Sequence, residues 1–216
     1  MFGADLSQVI QKIVVVLPGF LLAITVHEYT HGYVAYRLGD PTAKNAGRLT
    51  FNPISHLDPI GTLVLVLTQM IGWAKPVPVD PRYLRDPRRD MIWISLGGPA
   101  ANLAAAVALA IAFHAVLYVV QGSITGRPSD VIIAALKMLQ AGVLINVVLA
   151  VFNMIPIPPL DGSKILAGFL PQQMAYQYER LEPYGFIVLM LLIFTGVVGF
   201  VIMPPIQFVY RLLLGA

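Results

Sequence analysis

From Met91 to Val120 the chain runs for thirty residues without a single Asp, Glu, Lys or Arg. As a helix that run is about 45 Å long, more than the roughly 30 Å hydrocarbon core of a bilayer. Three more apolar stretches accompany it: Gln8–Leu38, which turns amphipathic toward its end, Val131–Asn153 and Pro183–Met203. The whole chain is 57% hydrophobic and only 12% charged, with a mean hydropathy of +0.76. A soluble domain carries about a quarter charged residues, so these stretches read as membrane spans.

The expected architecture is an all-α polytopic membrane protein of one domain, 1–216, with about four transmembrane helices. Gly39-Asp40-Pro41 should end the first. Pro18 and Gly19 should bend it, which spans tolerate. The first run lacks a small-residue cleavage site, so it is expected to be retained rather than removed as a signal peptide. Ile60–Gly72 is apolar but too short to cross, and is expected to be re-entrant or interfacial. Its flanks decide this: Lys44 and Arg48 precede it, and Lys75, Arg82, Arg85, Arg88 and Arg89 follow it. A crossing would put one basic loop outside, against the positive-inside rule. Gly47–Phe51 is a possible short strand. Trp73–Val79, with Pro76 and Pro78 at alternate positions, fits either a membrane-associated edge strand or an irregular interfacial loop.

This topology gathers ten of the 14 basic residues on the cytoplasmic side: Arg37, Lys44, Arg48, Lys75, Arg82, Arg85, Arg88, Arg89, Lys164 and Arg180. The surplus of base sets orientation rather than a nucleic-acid partner. His27, Asn102 and Asp161 fall near that same face, although they are far apart in sequence.

The chemistry is concentrated in His27-Glu28-Tyr29-Thr30-His31. Residues four apart share one helix face, so His27 and His31 can offer two imidazoles to one metal ion, while Glu28 can act as general base on a water there. Ionisable groups within an apolar segment are costly and mark function. With no Cys, zinc must be held by His, Asp or Glu. A catalytic site needs a third ligand, for which Asp161, His56, Asp58, His114, Glu179 and Glu182 are candidates. His114 reads as a packed or lipid-interface residue, His56 as a turn stabiliser, and Glu179 and Glu182 as surface. Asp161 follows a helix break of three prolines (Pro156, Pro158, Pro159) at suitable depth. It is either an N-cap or a ligand, and the paired histidines favour the ligand. One Zn2+ per chain is expected.

A peptide bond within a helix is shielded, so an amide substrate must be extended. The edge 75–79 could hold it by main-chain pairing. Asn102 and Asn153 could hydrogen-bond its backbone, or could pair helices and cap a broken end.

Taken together, HEYTH, Gly98-x-x-x-Asn102 and Asn153-x-x-Pro156-x-Pro158-Pro159-Leu160-Asp161-Gly162 resemble the site-2 protease family of intramembrane zinc metalloproteases over about residues 10–170. The run from Gly47 through His56-Leu57-Asp58-Pro59 to Gly72–Val79 is similar to a compact prokaryotic subgroup without a PDZ or nucleotide-sensing domain. The resemblance implies His27, His31 and Asp161 as zinc ligands and Glu28 as catalytic base. It implies that Asn153 and the segment with Trp73, Lys75, Val77 and Val79 help hold substrate, with Asn102 on the family's Gly-x-x-x-Asn position. It further implies cleavage of single-span, membrane-tethered proteins at a prokaryotic cell membrane. Two other classes compete: a metal transporter, which would need polar residues along a path to the outer face, and a silent scaffold, which would not need Glu28.

Overall fold

The computed structural model describes residues 6–68, 72–122 and 128–215. Among these, nine α-helices follow one another: α1 (Leu6–Arg37), α2 (Thr42–Asn45), α3 (Pro59–Thr68), α4 (Pro87–Gly122), α5 (Asp130–Asn153), α6 (Asp161–Phe169), α7 (Gln172–Glu179), α8 (Glu182–Phe194) and α9 (Val197–Leu214). Four of them, in α1, α4, α5 and α9, are long and apolar enough to cross a membrane. The protein is a multi-pass, all-helical membrane protein.

Helices α1, α4 and α5 pack on one another, and small residues set how closely. A Cβ on Gly19 of α1 would stand 2.7 Å from the Gly142 Cα of α5, so the two backbones touch. This is the small-residue contact by which helices associate in lipid. Ala106, Ala110 and Phe113 of α4, Val143 and Val147 of α5, and Ile206 and Leu214 of α9 form the largest buried cluster. Outside it, apolar side chains such as Tyr118 and Phe200 are over three-quarters exposed, as expected of surfaces that face lipid.

The end of α1 follows its sequence. Gly39 adopts φ +113°, a conformation that only glycine takes without strain. The fourth span differs from expectation. Instead of one helix over Pro183–Met203, Gly196 (φ +79°) ends α8 after 13 residues and α9 runs on for 18, with Pro204 and Pro205 inside it. The left-handed glycine is the stronger break, and prolines are tolerated within spans.

Helix α3 has 10 residues, about 15 Å at helical rise, too short to cross. The rest of the expected dip, residues 69–71, and residues 123–127 of the outer turn lie outside the described residues.

The expected β element is not formed among the described residues. Gly47–Phe51 is a loop, and the segment after Trp73 contributes only an isolated antiparallel bridge, Leu57 with Ala74. The reason is chemical. Pro76 and Pro78 have no N–H to donate, and the Arg48 guanidinium occupies the carbonyls of Lys75 and Pro76 at 2.6 and 3.2 Å.

Candidate metal centre

After α5 the chain turns through Met154–Leu160 and re-enters helix at Asp161. Gly162 permits this return, since a Cβ there would lie 2.3 Å from the Met154 carbonyl oxygen. Arg88 Nε donates to the Gly168 carbonyl at 3.0 Å, tying α6 to the start of α4. Asp161 does not cap its helix. The N-cap is Leu160, without a side-chain cap bond, and the Asp161 carboxylate points to α1 instead.

There its Oδ2 lies 3.2 Å from Nε2 of both His27 and His31, and the two nitrogens are 3.0 Å apart. All three side chains are nearly buried. Gly98 of α4 forms the wall behind them, where a Cβ would stand 2.4 Å from His31 Nε2 and 2.7 Å from His27 Nε2.

The protons on these rings follow from their other partners. His31 Nδ1 lies 2.7 Å from the Ile94 carbonyl oxygen, which can only accept, so Nδ1 carries a hydrogen, and in the neutral ring Nε2 holds the lone pair. His27 Nδ1 lies 2.6 Å from Asn102 Oδ1. The orientation of that amide is fixed, because Asn102 Nδ2 donates to Ala23 O and to Asn146 Oδ1, both at 2.9 Å, while Asn146 Nδ2 donates to Gly142 O. His27 therefore donates from Nδ1 as well. With both rings neutral, two imidazole lone pairs and a carboxylate oxygen converge, and the buried Asp161 Oδ2 has no hydrogen-bond partner among the described residues. Atoms this close are held together by a cation among them, a proton or a metal ion. The nitrogen–nitrogen–oxygen set, with every Nδ1 tied to a second partner, suits zinc.

Glu28 follows His27 directly in α1. Its Oε2 accepts the Val77 N–H at 2.9 Å. Val77 and Val79 line a cleft of about 1010 Å³ that also reaches Ser163 and Lys164 of α6.

Of the two roles open to Asn102, the structure shows the pairing of helices. It is fully buried, both its amide hydrogens are used, and its Oδ1 meets His27. Asn153 donates to Leu149 O at 2.9 Å in its own helix. Lys75 has neither peptide group free, its N–H going to His56 O and its C=O to Arg48. Trp73 packs edge-on against Phe186 of α8. Val79 has peptide groups without partners among the described residues.

The other ligand candidates are elsewhere. His56 is buried with Nε2 on Thr50 O, Asp58 accepts from Gly61 N, and His114 bonds Leu213 O at the end of α9. Asn146 is not singled out by the sequence, and Gly98 only as the first residue of the Gly-x-x-x-Asn motif. A carboxamide in the apolar middle of α5 was the available signal for Asn146.

The sequence profile of peptidase family M50 matches residues 15–195. Among relatives, a protein of Bacillus subtilis named "Putative zinc metalloprotease YwhC" is 38% identical over 87% of this chain and 83% of its own length. "Putative zinc metalloprotease Rip2" of Mycolicibacterium smegmatis is 31% identical over 84% of this chain and 67% of its own. No solved structure matches the chain.

Proposed function

The chain belongs to peptidase family M50, and from that premise and the buried triad we propose that it is a zinc-dependent intramembrane protease with His27, His31 and Asp161 as ligands and Glu28 as base. The observation that carries this reading is the convergence of two imidazole nitrogens and a carboxylate oxygen within 3.2 Å of one another, with Glu28 adjacent in the helix. The zinc-metalloprotease names of its relatives agree with it.

Bound zinc would supply a Lewis acid, polarising the scissile carbonyl and making water acidic enough to attack near neutral pH. The protein's own groups do the rest. His31 is aimed by Ile94 O, and His27 by the Asn102–Asn146 pair. Glu28 accepts a proton from the attacking water and delivers it to the departing nitrogen as the C–N bond breaks. The substrate is a single-span, membrane-tethered protein whose helix unwinds locally, since only an extended amide reaches the base. Its backbone lies along the cleft lined by Val77 and Val79, where the peptide groups of Val79, without partners among the described residues, offer main-chain pairing, and Trp73, Lys75 and Asn153 serve as further contacts. The basic residues about the cleft support an orientation of this face toward the cytoplasm of a prokaryotic cell.

The test is cleavage of a purified single-span membrane protein in detergent by wild type and by Glu28→Gln. The variant should keep its zinc and form no product. Wild-type rates from Glu28→Gln would refute the assigned base.

A further inference from the structure

Outside the triad, two buried charged side chains act on the same short segment. Arg48, 7% exposed, places Nη2 on Lys75 O and Nη1 on Pro76 O. Asp40, fully buried, accepts the Asp80 N–H on Oδ2 at 2.8 Å. Lys75 N–H adds a third tie, to His56 O at 2.9 Å. Burying a charge is costly unless its hydrogen bonds are made, and these two are committed to backbone on either side of one peptide. That peptide belongs to Val77, whose N–H donates to Glu28 Oε2 at 2.9 Å. Between two prolines, Val77 is the only residue of 76–78 that can donate at all. Gly32 lets the segment sit against α1, for a Cβ there would come within 3.1 Å of Val77 Cγ1.

We propose that Arg48 is a positioning residue for the reaction: by gripping the Lys75 and Pro76 carbonyls it aims the Val77 N–H at Glu28 and so fixes the base. The inference rests on the reading of Glu28 as general base. Glu28 is otherwise a flexible side chain, and a hydrogen bond to one carboxylate oxygen holds it while Oε1, without a partner among the described residues, is left to face the attacking water. The geometry demands a fork. Arg reaches two carbonyls at once, whereas Lys is a single point of charge. A displacement of about 1 Å in a catalytic group can cost roughly a hundredfold in rate.

The test compares wild type, Arg48→Lys, Val77→Pro and the double variant, all full-length in detergent and loaded with zinc. Cleavage of a single-span membrane protein is read as kcat and KM. Arg48→Lys should lose about tenfold or more in kcat at unchanged zinc content. Val77→Pro, which deletes the N–H, should lose a similar factor, and the double variant little more than either alone. A KM rise at constant kcat, or losses that multiply in the double variant, would overturn the proposal, because Arg48 would then serve substrate binding or overall stability.

A second readout needs no activity. In selectively 15N-valine-labelled protein, the Val77 amide proton should resonate downfield because it is bonded to a carboxylate. It should move upfield in Glu28→Gln and by a similar amount in Arg48→Lys. An unmoved Val77 signal in Arg48→Lys would also overturn the proposal. Were the wild type unable to cleave any substrate, the peptidase reading would fail, while the Val77 signal would still report whether Arg48 sets the contact with Glu28.

Discussion

Asn102 Oδ1 lies 2.6 Å from His27 Nδ1, and this single contact decides which nitrogen of the ring faces Asp161. Because Asn102 is itself held by Ala23 O and Asn146 Oδ1, the orientation of a ligand on α1 is set by carboxamides on α4 and α5. The centre is therefore built by the packing of the bundle as well as by the HEYTH turn.

Substituting Asn102 by Ala should leave the ligands in place but free His27 to rotate or change tautomer. Groups that orient a ligand in this way contribute about 10–100-fold in metal affinity. Zinc affinity, measured by competition with a chromophoric chelator, should fall by a factor in that range. Asn146→Ala should produce a smaller fall of the same kind. An Asn102→Ala protein that binds zinc as wild type does would show that the carboxamide pair only joins helices.

Gly98→Ala tests the wall behind the histidines. The added methyl would stand 2.4 Å from His31 Nε2, so α1 and α4 must separate or the ring must turn away. Overpacking of this kind costs about 1–3 kcal/mol. Reduced zinc content and a lower midpoint of thermal unfolding are both expected. Gly97→Ala is a milder comparison, since its Cβ would meet the Thr30 and Val34 methyls at 3.3 Å and the Thr30 carbonyl oxygen at 3.6 Å, none of them a ligand atom.

Topology is open to labelling because the chain has no native Cys. Cysteines introduced at Arg85, just before α4, and at Gln121, near its end, should react with membrane-impermeant reagents from opposite faces. The helix between them has 36 residues, about 54 Å, more than enough to span. Reaction of both from one face would contradict the assignment of α4 as a crossing.

The sequence made some of these elements readable and hid others, for identifiable reasons. Spacing of four within a helix is a local property, so the pairing of His27 with His31 could be read directly. Asp161 stood out because prolines interrupt an apolar run just before it. The orienting contacts join residues such as Asn102 and His27, 75 positions apart, and no local pattern announces them. The Trp73–Val79 segment resembled an edge strand by its alternation. Its ladder was precluded by two missing N–H groups and by Arg48, a residue whose basic character had marked it only as a topology signal. At the other end, Pro183–Met203 reads as one apolar stretch, yet Gly196 divides it by a left-handed turn no other residue adopts as readily.

The most direct measurement of the central claim is zinc bound per chain, by elemental analysis after dialysis, in wild type and Asp161→Ala, paired with thermal unfolding before and after chelation. Ligand binding at about a hundred times its Kd stabilises a fold by about 2.7 kcal/mol, so stripping the wild type should lower its unfolding midpoint and restoring zinc should recover it. The account predicts close to one zinc per wild-type chain, little in Asp161→Ala, and no response of that variant to chelator. Full zinc occupancy in Asp161→Ala, with wild-type response to chelation, would contradict a centre formed by His27, His31 and Asp161.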